Sequence, residues 1–281
     1  MKTISWNCIS ISLPKDWEVT AEGGSRYNGF ITIAPPEGYK LEIYWRTGDG
    51  GSKLHDKYVK KFVKKGFKKI SRSTAKIKNH ECILEVLEKN GYKVIVTTWF
   101  CSESKRFFIT QLDGLKASLS KSLNILNTLN CHLCSETTVP WGMMGLGLKL
   151  YSDYYVYIRE FKISYSMAYF LSNDKKIHVI QYAIPKYVID SHENILDEAK
   201  TRAYKMLIPR FTKLDLVEKN NYFLYSVSNV WFKFIKYGYI VEKINECFKP
   251  NYIQLTLIRV LKKERINEAI DIAENIYCTE W

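Results

Sequence analysis

Glutamine is almost missing from this 281-residue chain: Gln111, Gln181 and Gln254 are the whole complement. Scarce thermolabile amides beside abundant Lys, Ile and Tyr lean toward a thermophilic source, although asparagine is not depleted. That bears on the seven cysteines, because disulfides inside cells are unusual in mesophiles and ordinary in hyperthermophiles. Long apolar runs are missing too. Nothing approaches the ~18 residues that a membrane-spanning helix needs, so no transmembrane segment is expected. The opening residues Met1-Lys2-Thr3-Ile4-Ser5-Trp6-Asn7 hold one charged side chain and no apolar stretch of the secretory type. A cytoplasmic protein is expected.

Catalytic and cofactor motifs are a further absence. No Gly-x-Ser-x-Gly marks a hydrolase nucleophile. His55, His80, His132, His178 and His192 are scattered, without His-x-His or His-Glu-x-x-His grouping. Cys131-His132-Leu133-Cys134 looks like half a zinc site, but structural sites commonly use two such pairs and no second Cys-x-x-Cys exists. No metal is expected. Gly48-Asp49-Gly50-Gly51-Ser52-Lys53 sits between a strand and a helix, where a phosphate-binding loop would sit. A Walker A loop needs Gly before the Lys and Ser or Thr after it, whereas Ser52 and Leu54 flank Lys53. A flexible connection is the better reading. Glu81, Glu85 and Glu88 alternate with apolar residues, as on the solvated face of a strand. Nothing nominates an active site, so the chain is expected to be no enzyme and to use no cofactor.

What is present is basic charge, unevenly spread. The net charge is +13; residues 1–135 hold 22 Lys/Arg against 12 Asp/Glu, a surplus of ten. Such a half suits nucleic acid, an anionic membrane surface or an acidic protein partner, or it is simply a soluble, solvated surface. From Leu54 onward, Leu54, Tyr58, Val59, Phe62 and Val63 mark one face of a helix with Gly66 as its stop. Lys53, Lys57, Lys60, Lys61, Lys64, Lys65, Lys68 and Lys69 occupy the rest, a candidate anion-binding patch. Single-stranded nucleic acid would want exposed aromatics among these cations, but Tyr58 and Phe62 fall on the apolar stripe and arginine is scarce.

One stretch occurs twice. Gly91-Tyr92 leads to Cys101, a polar turn, the run Arg106–Thr110, and a helical segment that ends at Cys131. Gly238-Tyr239 leads to Cys247, the turn Lys249-Pro250-Asn251, the run Tyr252–Thr256, and a helical segment that ends at Cys278. Both copies span 40 positions from Gly to last Cys. Two domains of one plan follow, 1–134 and 135–281, with the connection in 132–147 around Pro140 and three glycines. Before each copy the pattern gives strands and a helix: Ile9–Leu13, Phe30–Ile33 and Leu41–Trp45 before the lysine helix, Ile177–Ile184 before a helix capped by Asp190 or Ser191. Asn90-Gly91 is a type I′ hairpin turn. The fold class expected is α+β: two similar domains, each a mostly antiparallel twisted sheet flanked by two helices. If each closing helix runs back across its sheet, Cys101 meets Cys131 and Cys247 meets Cys278, two matching disulfides. Buried, reduced thiols are the alternative.

The opening Ser10-Ile11-Ser12-Leu13-Pro14-Lys15-Asp16-Trp17-Glu18-Val19, followed by Leu41-Glu42-Ile43-Tyr44-Trp45, resembles that of PsbP/Mog1-like domains. The likeness covers roughly the first half and reaches the second through the repeat, where Leu148-Lys149-Leu150-Tyr151-Ser152-Asp153 lacks the proline. It implies a twisted sheet flanked by helices and a non-enzymatic module that docks another protein. The functional expectation is therefore an accessory or docking protein that binds a protein partner through a sheet face or a groove between the halves. The alternatives are a nucleic-acid-associated protein using the Lys53–Lys69 helix, and a small-molecule binder with a pocket between helix and sheet. Partner identity and oligomeric state are not encoded in any visible motif.

Overall fold

The computed structural model describes the chain apart from residues 36–38, 49–50, 115–118, 134–136, 233–234, 249–250 and 280–281. It forms two compact units, Met1–Glu136 and Thr137–Trp281.

The first unit opens with a hairpin of β1 (Lys2–Trp6) and β2 (Ile9–Leu13). Its turn residues Asn7 and Cys8 have φ of 49° and 64°, the positive values that a two-residue turn between twisted strands demands. Period-two alternation puts Ile9, Ile11 and Leu13 on one buried side. There follow β3 (Glu18–Gly24), β4 (Asn28–Ala34), β5 (Tyr39–Thr47), α1 (Gly51–Val63), β6 (Lys68–Ile77), β7 (His80–Lys89), β8 (Tyr92–Cys101), β9 (Arg106–Gly114) and α2 (Leu119–Leu126). The strands from β3 to β9 make one seven-stranded sheet in the order β3-β4-β5-β9-β8-β7-β6, each neighbour antiparallel. Asn90 and Gly91, at φ 52° and 79°, form the tight β7–β8 turn. The edge strand β6 is exposed along most of its length and carries Lys68, Lys69, Arg72 and Lys76, charges that discourage further strand pairing.

In the second unit β10 (Thr138–Met143) and β11 (Leu146–Tyr151) again form a hairpin. β12 (Tyr155–Phe161), β13 (Ser166–Leu171), β14 (Ile177–Pro185), α3 (Lys186–Ser191), α4 (Ile195–Leu207), β15 (Thr212–Lys219), β16 (Phe223–Asn229), β17 (Lys236–Cys247), β18 (Tyr252–Val260) and α5 (Ile266–Glu274) complete it. The sheet order β12-β13-β14-β18-β17-β16-β15 repeats that of the first unit. Ala199, Ala203 and Leu207 seat α4 on a core with Ile180, Tyr182, Leu255 and Leu257. Ala269, Ile272 and Ala273 are the buried residues of α5.

The expected α+β class needs correction. The chain is mostly β, with 18 strands among the described residues and only 19% helix. The reason is one of dimensions. A 13-residue helix such as α1 is about 20 Å long and about 10 Å wide, whereas seven strands at ~4.8 Å spacing make a face about 30 Å across. Short helices pack on a few strands at most: α1 lies mainly on β7 and β8, α4 on β14 and β18, and α5 on β17, β18 and β11. They do not form a layer. Residues 138–147, expected within a connection, are strand and turn instead. Pro140 is accommodated opposite Lys149, and Gly147 is needed because a Cβ there would lie 2.1 Å from the Tyr277 carbonyl oxygen. Asp190 and Ser191, expected as caps, lie inside α3, and α4 starts after Asn194.

Candidate functional site

α1 packs mainly on β7 and β8, and the same sheet face continues beside it over β9 and β5. Period two brings Glu42 and Tyr44 of β5 and Ile109, Gln111 and Asp113 of β9 onto it. Together with Leu54, Tyr58 and Phe62 of α1, and with Phe67, Tyr92 and Val94, they line a cavity of about 670 Å³. Val59, Leu87, Val94, Val96, Phe107 and Ile109 form the adjoining buried apolar cluster, of which Val94 and Ile109 also line the cavity.

The walls are aromatic. Rings run in a chain from Tyr44 to Tyr58 (6.1 Å between centroids), Phe62 (5.8 Å), Phe67 (5.7 Å) and Tyr92 (6.3 Å). Polar atoms are few and fixed. The Tyr58 hydroxyl donates to Gln111 Oε1 at 2.8 Å, Tyr44 to Glu42 Oε2 at 3.0 Å, and Tyr92 to Asp113 Oδ2 at 3.0 Å. Lys40 Nζ donates to Glu42 Oε1 at 2.8 Å. Burial, with Glu42 beside it, pushes the Tyr44 phenol up to about 12. Burial likewise raises the Asp113 carboxyl above its usual range, and Asp113 Oδ1 is buried without a hydrogen-bond partner.

The rim is cationic. Lys57 and Lys61 stand one turn apart on α1 and Lys65 follows in the turn after it, and all three line the mouth; Arg46 also lines the cavity. Lys61 Nζ sits 5.2 Å from the centre of the Tyr58 ring. The expected lysine patch is thus divided. Lys57, Lys61 and Lys65 face the cavity, Lys69 pairs with Glu85 at 3.0 Å, and Lys53, Lys60, Lys64 and Lys68 are exposed outside it. Asp49 and Gly50 of the glycine-rich loop lie outside the described residues.

Under the other side of α1, His55 is fully buried and bonded to Glu85 Oε2 through Nε2 and to Thr98 Oγ1 through Nδ1, both at 3.0 Å. Glu85 is therefore buried, contrary to the solvated face that its alternation with apolar neighbours suggests. The helix laid over β7 covers it. Burial lowers the His55 pKa below its ordinary value, outweighing the carboxylate.

The two cysteine pairs expected to match differ. Cys247 and Cys278 are bonded, with Cα atoms 5.7 Å apart. Cys101 and Cys131, expected as the matching bridge, are free and buried instead. The expectation placed Cys131 at a helix end, but α2 stops at Leu126. An extended return follows, with Asn130 and Ser10 exchanging backbone bonds of 2.9 and 2.7 Å. That return carries His132 in beside the sulfurs, and the register of β7 brings His80 to the same place. Hydrogen bonding from the Cys131 thiol pulls Cys101 down to about 4 and pushes Cys131 itself up. Cys134 lies outside the described residues. No spacing rule would have grouped these four side chains, since they come from three separate segments.

No protein-family model matches the chain, and no curated protein is similar to it. A crystal structure from Bacteroides thetaiotaomicron VPI-5482 is similar over 50% of this chain at 19% identity, with a TM-score of 0.35. The matched region spans about half of that chain, 53%. Among the described residues, no helix is long and apolar enough to cross a membrane.

Proposed function

We propose that the first unit is a non-catalytic binding module whose α1 cavity takes a small anionic molecule with an apolar body. The observation that carries this is the pairing of an aromatic trough with a row of lysines at its mouth. Its volume falls in the range of ordinary ligand pockets. An apolar body replaces water against Tyr58, Phe62 and Phe67, while a carboxylate, sulfonate or phosphate meets Lys57 and Lys61. Extraction of the purified protein under denaturing conditions, followed by mass spectrometry, tests the reading. An amphiphilic acid in near-stoichiometric amount is expected. Protein that carries none and binds no such compound on addition would contradict it.

A second reading, docking of another protein, is favoured by one surface of the second unit. Phe211 and Trp231 are 62% and 67% exposed with ring centres 4.9 Å apart, and Val230 and Phe232 are exposed beside them in sequence. Clusters of exposed large apolar groups mark interaction surfaces more often than chance exposure does. The resemblance to PsbP/Mog1-like docking modules points the same way. A Trp231→Ser variant that captures the same proteins as the wild type would remove this reading. Nucleic acid on the lysine face has less support, because Tyr58 and Phe62 turn into the cavity and leave no aromatic platform among the lysines. The shared strand order of the two units supports descent by duplication.

A further inference from the structure

We propose that His80, Cys101, Cys131 and His132 form a tetrahedral, structural zinc site in the first unit. The ligand atoms of the four side chains all lie within 4.8 Å of one another. His80 Nε2 is 3.1 Å from Cys131 Sγ, and His132 Nδ1 is 3.8 Å from Cys131 Sγ and 3.9 Å from Cys101 Sγ. A tetrahedral ion with Zn–S near 2.3 Å and Zn–N near 2.0–2.1 Å sets its ligand atoms about 3.4–3.8 Å apart. The observed edges bracket that range.

The surroundings fit a metal better than a chance meeting of side chains. Glu103 Oε2 lies 3.5 Å from His132 Nε2, so the carboxylate holds the ring with Nδ1 turned to the sulfurs. Metal-bound histidines almost always have such a partner on the far nitrogen. Both sulfurs are buried, and four protein ligands leave no open position, which separates a structural from a catalytic site. Each ligand is anchored by the fold. His80 starts β7 and Cys101 ends β8. The Cys131–His132 segment is pinned by the Ser10–Asn130 pairing and by Arg106, whose guanidinium donates to the Cys131 carbonyl at 2.6 Å and to that of Cys8 at 2.9 Å. Two thiolates and two imidazoles are the donor set that selects zinc over magnesium or calcium.

The second unit supplies the contrast. Cys247 ends β17 as Cys101 ends β8, and Cys278 follows the last helix as Cys131 follows α2, yet that pair is a disulfide. There the segment after α5 is held to the hairpin covalently. In the first unit the corresponding thiols stay free and two imidazoles close around them, so an ion does the same fastening.

The test is metal analysis of the full-length protein purified without chelator. About one zinc per chain is expected, and one equivalent of added Co²⁺ in metal-stripped protein should give the visible absorption bands of a tetrahedral thiolate–imidazole centre. Glu103→Gln should weaken zinc about tenfold or more in chelator competition while leaving the stoichiometry intact. If Cys131→Ser fails to fold, His80→Asn serves, and the wild-type Co²⁺ spectrum stands regardless of either variant. Protein without zinc that gives no Co²⁺ bands would overturn the proposal. So would a Cys101–Cys131 disulfide in freshly isolated, alkylated protein.

Discussion

His55 and Glu85 meet at 3.0 Å in a place that water does not reach, the histidine fully buried and the carboxylate side chain 1% exposed. The hydrogen bonds close with a neutral imidazole: Nε2 donates to Glu85, and Nδ1 accepts from Thr98. Lys69 and Arg72 approach the same carboxylate from the edge strand at 3.0 and 4.0 Å, so Glu85 is balanced without a charge on His55.

This arrangement predicts a pH dependence with a definite sign. Burial lowers the folded-state pKa of His55, so the unfolded chain, with a value near 6.5, takes up the proton first. The contribution to stability is present above about pH 6.5 and is lost as pH falls toward the folded-state value. Urea unfolding of the wild type should show a lower midpoint at pH 5.5 than at pH 8, and the difference should shrink in His55→Ala. The variant itself should lose roughly 3 kcal/mol at pH 8, because a buried carboxylate loses its donor and a cavity opens. An unchanged pH profile in His55→Ala would show that the imidazole is not the group that titrates.

The Cys247–Cys278 bridge closes a loop of 31 residues. In the chain-entropy model such a loop is worth roughly 3–4 kcal/mol. Reduction with dithiothreitol, or the double change to serine, should lower the thermal midpoint of the second unit without altering its far-ultraviolet circular dichroism at 20 °C. A midpoint indifferent to reductant would mean that the bridge constrains nothing.

Gly147 is the clearest steric prediction. Gly147→Ala places a methyl group 2.1 Å from the Tyr277 carbonyl oxygen, and the Tyr277 N–H that bonds to Gly147 O at 3.0 Å must shift. A loss of about 1–3 kcal/mol is expected from overpacking, read as a lower urea midpoint at unchanged slope. Gly91→Ala is the comparison: no atom lies within 4 Å of its Cβ position, so its cost comes only from the positive φ of 79°.

Local chemistry was readable where it was local. The alternation of Ile9-Ser10-Ile11-Ser12-Leu13 gives β2, Asn90-Gly91 gives the β7–β8 turn, and the stripe Leu54, Tyr58, Val59, Phe62 gives α1. The fold class was misread because counting helices does not tell how much sheet each one covers. Glu85 was misread for the same reason: whether an alternating carboxylate faces water depends on where a distant helix lies. The cluster of His80, Cys101, Cys131 and His132 depends on strand register and on α2 ending at Leu126, neither of which spacing encodes. Of the cavity, its lysines and the general option of a pocket between helix and sheet were legible. Its aromatic wall reads as core because Tyr58 and Phe62 lie on the apolar side of α1, which is true, but beside the Tyr58–Gln111 bond the same rings border an open cavity.

The central claim, that the α1 cavity binds an apolar anion, is tested most directly by calorimetric titration with dodecanoate. Wild-type protein and Lys57→Glu/Lys61→Glu should be compared at low and at physiological salt. Reversing two charges at the cavity mouth should weaken binding roughly ten- to a hundredfold at low salt, with a smaller gap at higher salt as the charges are screened. Equal affinity in the two proteins, or no heat of binding in either, would contradict the account.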